Sequence, residues 1–394
     1  MADDVRFDDI TPALPGSDPA DVRPRFTRLS EAQMPRDFSV SLAAYNRGGT
    51  DTFLARRPDH LPRQEMADFD PDYVDIIDYI VRITHRIWEE KDIGTIYDTY
   101  SHDCRVWDDV GLQYGRDKIV ADTVHTNAAI PDIRLVADEV IWAGDAATNF
   151  HTSHRTIILG TNTGWSRWSA PTGRPVRLLC MANCVARGNE IHTEHVAYDT
   201  AMLLKQIGVD LVAAARTAGE ARLDSERPVF MGAEPLRLPG QGKPSRPAIP
   251  KVKDDLRSFV LAAFQRIWNG RDFSAMAEVY DPLVEVEMST GRAFHDLGQL
   301  RSHILGLLAM FPNLALRVDD LYWMGNPRDG ILVAARWGAV GHHRGHGPYG
   351  PPTGREVHLW GITQWHIENG RVQREWTTFN EFGILMQLFG PAEG

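Results

Sequence analysis

The sequence predicts an α+β protein built twice within one chain, and three observations carry that prediction. HRIWEEKDIGTIYDTY (85–100) aligns with QRIWNGRDFSAMAEVY (265–280) at an offset of 265 − 85 = 180. After one inserted position the offset becomes 181: Pro131, Trp142 and Gly144 match Pro312, Trp323 and Gly325, and Thr172-Gly173-Arg174 matches Thr353-Gly354-Arg355. Within the first copy, helical periodicity comes first and a run of alternating strands follows, the order of an α+β domain with its helices on one sheet face.

At 394 residues the chain exceeds one ordinary domain and suits two. Residues 1–72 form an irregular extension broken by prolines, with Phe26, Leu29, Phe38, Leu42, Tyr45, Phe53 and Leu54 as apolar anchors for a wrap over the body. The first domain spans 73–212, a proline- and glycine-rich linker 213–252, and the second domain 253–394. From Tyr73, the residues Val74, Ile77, Ile80, Val81, Thr84, Ile87 and Trp88 recur at three- and four-residue spacing and predict an amphipathic helix. A short helix at 92–100, a strand at Cys104–Asp108 and a third helix at 115–128 follow. Strands are predicted at 134–142, 148–160, 174–186 and 190–196, the last two joined by a turn at Arg187-Gly188-Asn189. A short helix, Thr200–Ile207, closes the domain. The repeated hairpin turns at Glu368-Asn369-Gly370.

The charge balance, 42 basic against 53 acidic residues for a net −11, argues against nucleic acid and anionic membranes as partners. No segment has the apolar run of a membrane helix or the pattern of a signal peptide, so a cytoplasmic location is expected. Cys104, Cys180 and Cys184 make no disulfide framework; the last two share a strand face but sit too far apart to bond easily. Phosphate-binding glycine loops, nucleophile elbows and dinucleotide fingerprints are missing, so no cofactor is expected. The histidines of GHHRGHGPYG (His342, His343, His346) lack an acid or cysteine at ligand spacing, and no metal is expected there.

With the repeat in view, a set of motifs resembles a known family. They are Arg86-Ile87-Trp88 with Asp92, the Gly160-Thr-Asn-Thr-Gly164 turn, a Pro-Thr-Gly-Arg stretch, Gly188-Asn-Glu-Ile-His-Thr-Glu194-His195 and Asp199. The chain resembles the SnoaL-like polyketide cyclases of the nuclear transport factor 2-like superfamily, over roughly 73–212 and 253–392. The resemblance implies two tandem cones, each a strongly curved antiparallel sheet packed on about three helices with a ligand pocket inside. It also implies that the copies pair through their outer sheet faces, an intramolecular pseudo-dimer; a homodimer of whole chains stays open.

The family's acid–base aspartate carries over to Asp199, where the second copy has Asn380. A carboxylate in a partly dry pocket is a usable base for a proton beside a carbonyl; Asp199 can equally cap the helix that follows. His195, matched by Trp376, and His154, matched by Ala335, are the other catalytic candidates; a large flat ring in the core explains His195 as well. Glu194 recurs as Glu375 and reads as a shared structural bond. Trp165 and Trp168 on the loop before Pro171, with Arg155, Asp108 and Tyr100, are the substrate-binding candidates; the tryptophans can instead pack on a neighbour. Asp109 adjoins Asp108, but on an alternating strand only one of the two points inward. The leading expectation is a cofactor-independent lyase or isomerase, a cyclase or dehydratase acting on a small carbonyl compound through the first copy. A non-catalytic binding or assembly protein is the alternative, and a third reading puts the pocket in the second copy around His358, Trp360 and His366.

Overall fold

The computed structural model describes residues 29–38, 40–41, 49–55, 63–220 and 246–391. Phe26, Leu42, Tyr45 and the linker stretch 221–245 lie outside the described residues. The first half runs α1 (Ile76–Trp88), α2 (Thr95–Thr99), β1 (Tyr100–Trp107), β2 (Leu112–Tyr114), α3 (Arg116–Ala129), β3 (Arg134–Gly144), β4 (Phe150–Thr161), β5 (Pro175–Arg187), β6 (Glu190–Ala197), α4 (Thr200–Ile207) and α5 (Leu211–Glu220). The second runs α6 (Leu256–Phe264), α7 (Met276–Val279), β7 (Tyr280–Met288), β8 (Arg292–Phe294), α8 (Leu297–Met310), β9 (Ala315–Asn326), β10 (Gly330–His342), β11 (Glu356–Glu368), β12 (Arg371–Phe379) and α9 (Glu381–Phe389).

Each half folds into one six-stranded sheet, ordered β2-β1-β6-β5-β4-β3 and β8-β7-β12-β11-β10-β9. The identical orders bear out the duplication. One feature departs from the all-antiparallel expectation: β1 pairs with β6, and β7 with β12, in parallel. The reason is connectivity, since β1 enters from the helical layer and finds its partner in the last strand rather than the next. Register puts the inserted position in the β7–β8 turn, since Trp107 pairs with Leu112 but its equivalent Glu287 pairs with Ala293; after that turn, Asp296 caps α8 by accepting from the Gln299 N–H at 2.8 Å.

Local chemistry explains the elements. Asp75 caps α1 by accepting from the Asp78 N–H at 2.8 Å, and the apolar face of that helix is buried. Both hairpin turns place two successive residues at positive φ, Gly188 and Asn189, then Asn369 and Gly370, which joins twisted strands without splaying them. Helix α5 covers the start of the stretch read as linker; the Asp210 side chain accepts from the Ala213 N–H at 2.7 Å to begin it. Parts of the N-terminal segment lie on both halves: Gln33 donates to Asp145 and Thr148, while the Pro35 carbonyl accepts from the Gly325 N–H.

The sheets meet back to back. Leu179, Met181, Ala197, Trp360 and Ile362 form the apolar part of the contact. Beside it the buried Arg155 side chain donates to Asp138 at 2.6 Å and to Gln364 at 2.5 Å, and its guanidinium lies 3.6 Å from the centre of the Trp376 ring. Gln364 donates in turn to the Ser153 carbonyl and hydroxyl, at 3.0 and 2.9 Å.

The inner faces of the two sheets differ. In the second half the cross-strand rows are Val333–Trp365–Glu375, Ala335–Thr363–Thr377 and Trp337–Gly361–Phe379. Trp365 stacks on Phe264 at 5.2 Å, and Trp337 crosses above Gly361, where a Cβ would come within 2.5 Å of the indole. Two tryptophans thus fill the second interior, and Trp360 faces the other half instead. This argues against a pocket around His358, Trp360 and His366.

Two outcomes follow from this packing. Arg155→Ala should lower the stability of the chain by about 1–3 kcal/mol in chemical denaturation, because the buried Gln364 Oε1 loses its donor. Trp337→Ala should cost about 3–5 kcal/mol by opening a cavity in the second half.

Candidate active site in the first cone

The first interior is built from small and polar side chains at the positions the tryptophans occupy in the second. Strand register gives the rows Thr152–Cys184–Glu194, His154–Ala182–Val196 and Thr156–Cys180 on one face. Cys184 stands where the second half has Trp365, and Thr156 where it has Trp337. The effect is visible in burial. Tyr100, Ala182 and Tyr198 retain partial exposure, although Ala182 sits mid-strand between His154 and Val196, whereas their counterparts Tyr280, Thr363 and Phe379 are buried. Trp88 meets Tyr198 edge-on at 6.5 Å from the helical side.

Three titratable groups on or beside this inner face are in unusual states. The Tyr100 hydroxyl donates to Glu194 at 2.9 Å, as Tyr280 does to Glu375 at 2.8 Å, so the shared structural bond read from the sequence is present in both halves. Burial nonetheless raises Glu194 to about 7, against the pull of that bond. Burial lowers His154 to about 4, keeping the imidazole neutral, and its Nε2 has no hydrogen-bond partner among the described residues. Asp109, on the β1–β2 loop, is raised to about 7 by burial, with the charges of Asp108 and Asp199 adding to it. One Asp109 oxygen accepts from the Thr200 N–H at 2.8 Å; the other is buried without a partner among the described residues.

The remaining sequence candidates are placed elsewhere. His195 lies in the row Ser153–Asn183–His195, on the sheet face opposite His154. It stacks on Trp107 at 4.5 Å and meets Trp360 of the other half edge-on, the environment of a flat ring in an interface. Arg155 belongs to that same outer face. Asp199 leaves the strand with φ 54° at the start of α4, and both of its oxygens accept from the Thr290 N–H of the second half, at 3.0 and 2.8 Å. It is buried, and burial raises it to about 7. Its helix-cap position is as expected, but its side chain bonds across the boundary instead of to its own helix.

Asp108 bonds within its own turn, accepting from the Val110 and Gly111 N–H groups at 2.8 and 2.9 Å and from Gln113. Trp168 packs edge-on against Phe382 of the second half at 5.0 Å, while Trp165 is 74% exposed. Tyr100 is half-buried and bonded to Glu194 of the inner face. Cys180, opposite Thr156 on the inner wall, was legible only as sharing a face with Cys184. Asp109 was legible as half of an acidic pair, without the means to choose between its members.

Among the described residues no group of three or more histidine, cysteine or acidic side chains is arranged to hold a metal. His343 bonds with Thr353 and His342 with Asn313. No described helix is long and apolar enough to cross a membrane. A groove of about 500 Å³ opens on the second half, lined by Pro247, Ser258, Leu261, Phe264 and Leu316; it carries no acid or histidine and lies apart from the residues above.

Residues 258–388 match the model of the family described as SnoaL-like polyketide cyclase. No curated protein matches the chain. Among solved structures, a candidate SnoaL-like polyketide cyclase of Jannaschia sp. CCS1 is similar at 20% identity and TM-score 0.32, over 38% of this chain and 99% of its own. IdmH of Streptomyces antibioticus, a candidate polyketide cyclase, is similar at 24% identity and TM-score 0.29, over 33% and 96%. TsrD of Streptomyces laurentii is similar at 21% identity and TM-score 0.28, over 32% and 89%. The second half of the chain therefore carries a SnoaL-like polyketide cyclase domain, and the first half repeats its strand order.

Proposed function

We propose that the first cone is the reaction chamber of a cofactor-independent enzyme that moves a proton on a small carbonyl compound, leading to cyclisation, elimination or isomerisation. The single observation that carries this reading is Asp109: a buried carboxyl raised to about 7, with one oxygen unengaged among the described residues. A group with that proton affinity is part ionised near neutral pH and can both take and return a proton. Its oxygen removes the proton beside the carbonyl, the electron pair moves onto the carbonyl oxygen, and a donor on the cone wall steadies the charge. The open Nε2 of His154 suits that donor role in its N–H tautomer. The family description of the matched domain supports a cyclase-type reaction.

A binding protein without turnover is the second reading, and the engagement of Asp199 favours it: both oxygens of the aspartate equivalent to the family's acid–base residue are taken by Thr290. The test incubates wild type, Asp109→Asn and Asp199→Asn with a metabolite extract, followed by untargeted mass spectrometry. Wild type should deplete a compound and Asp109→Asn should do so at least about 100-fold more slowly. Loss in Asp199→Asn alone would return the role to Asp199. Depletion by none of the three would move the binding reading ahead.

The same carboxyls make a stability prediction. Asp109, Asp199 and Glu194 have folded values raised above their unfolded ones, so their contribution is full below about pH 4 and is lost as pH rises through about 7. Asp109→Asn removes one of the three. Between pH 5 and pH 8 this variant should lose less unfolding free energy than wild type, measured by denaturant titration at each pH.

A further inference from the structure

The start of α9, in the second half, reaches Asp109, Asp199 and the loop beside them through three consecutive residues, directly or through Thr290. Glu381 accepts from the Thr290 hydroxyl, and the Thr290 N–H in turn holds both oxygens of Asp199. Phe382 meets the edge of Trp168. Gly383 lies against the Asp109 peptide so closely that a Cβ there would come within 2.5 Å of the Asp109 carbonyl oxygen. Glu381 is itself fixed by Arg292, which donates at 2.8 and 2.6 Å, and by the Tyr349 hydroxyl at 2.9 Å. The equivalent positions in the first half are Thr200, Ala201 and Met202, so the anchored acid exists on one side only. Both links of the chain that reaches Asp199 use residues in left-handed backbone, Asp199 at φ 54° and Thr290 at φ 65°, a conformation that needs support from surrounding contacts.

We infer that Glu381 and Gly383 are positioning residues for Asp199 and Asp109, so that the first cone's acid pair is assembled only when the second half is docked. The inference rests on the acid–base reading above. Neither residue reaches the hollow: Glu381 acts through Thr290, and Gly383 by admitting the close approach of α9 to the β1–β2 loop. The charged and titratable groups facing the pair are Asp108, Tyr198 and Cys180 from the first half and Glu381 and Arg292 from the second.

The test is a ¹³C carboxyl titration by NMR of the full chain, for wild type, Glu381→Gln, Gly383→Ala and, as a control that disturbs the second interior away from the boundary, Thr363→Val. Glu381→Gln removes a negative charge beside Asp199 and leaves Arg292 unneutralised; both effects should move the Asp199 midpoint down, by about one unit. Gly383→Ala should push the Asp109 loop off the Thr200 N–H and move the Asp109 midpoint up. Thr363→Val should move neither, even where its melting temperature falls as far. Unchanged midpoints in both boundary variants overturn the inference, as does an equal movement in Thr363→Val. Should Gly383→Ala fail to fold, the Glu381→Gln result decides. An Asp109 that titrates in the ordinary carboxylate range in wild type overturns the acid–base reading and the inference with it.

Discussion

One guanidinium fixes the register of the first sheet against the second: Arg155 reaches Asp138 on its own sheet, Gln364 on the other, and lies over Trp376. Because strand side chains alternate, this contact has a consequence on the far side of the same strand. With Ser153 and Arg155 turned to the partner, Thr152, His154 and Thr156 must face the interior. Register then propagates the choice to β5 and β6, bringing Cys184, Ala182 and Cys180 inward with Glu194 and leaving His195 outside. A one-residue slip would exchange the two sets, turning Ser153, Arg155, Asn183 and His195 inward and Thr152, His154, Cys184 and Glu194 outward.

The interiors differ in their chemistry. The second is closed by Trp337 and Trp365 over Phe264, and its polar members are bonded: Thr363 to the Trp337 indole and to Thr377, Glu375 to the Trp365 indole and to Thr377. The first keeps threonines, thiols, a neutral histidine and carboxyls at the same positions. A pocket lined this way contributes less to stability than a packed core, since polar groups without partners cost free energy when buried.

Much of the fold could be read from the sequence because its signals are local. The helical spacing of α1, the glycine–asparagine turns and the repeat itself depend on neighbours in the chain, and all three hold in the structure. The site was less legible because its chemistry depends on strand parity and turns. His195 and Asp199, four apart, share a face only on an uninterrupted strand; Asp199 instead enters left-handed backbone where β6 ends. Alternation could not choose between Asp108 and Asp109, since β1 stops at Trp107 and both belong to a loop. Asp108 satisfies that loop's own N–H groups and leaves Asp109 to face inward contacts. The bond from Thr290 joins residues 91 apart and has no signature in either segment.

In a homodimer related by a two-fold axis, every residue of the contact must serve on both sides at once. The contact described here escapes that condition. Gln364 finds the Ser153 hydroxyl, but the equivalent pair is Asn183 and Ala334, and the buried Asn183 amide has no partner among the described residues. His195 likewise answers to Trp376. Each half of the contact has been free to change without its twin, and what began as a symmetric surface now functions as the interface of a heterodimer whose subunits happen to share one backbone.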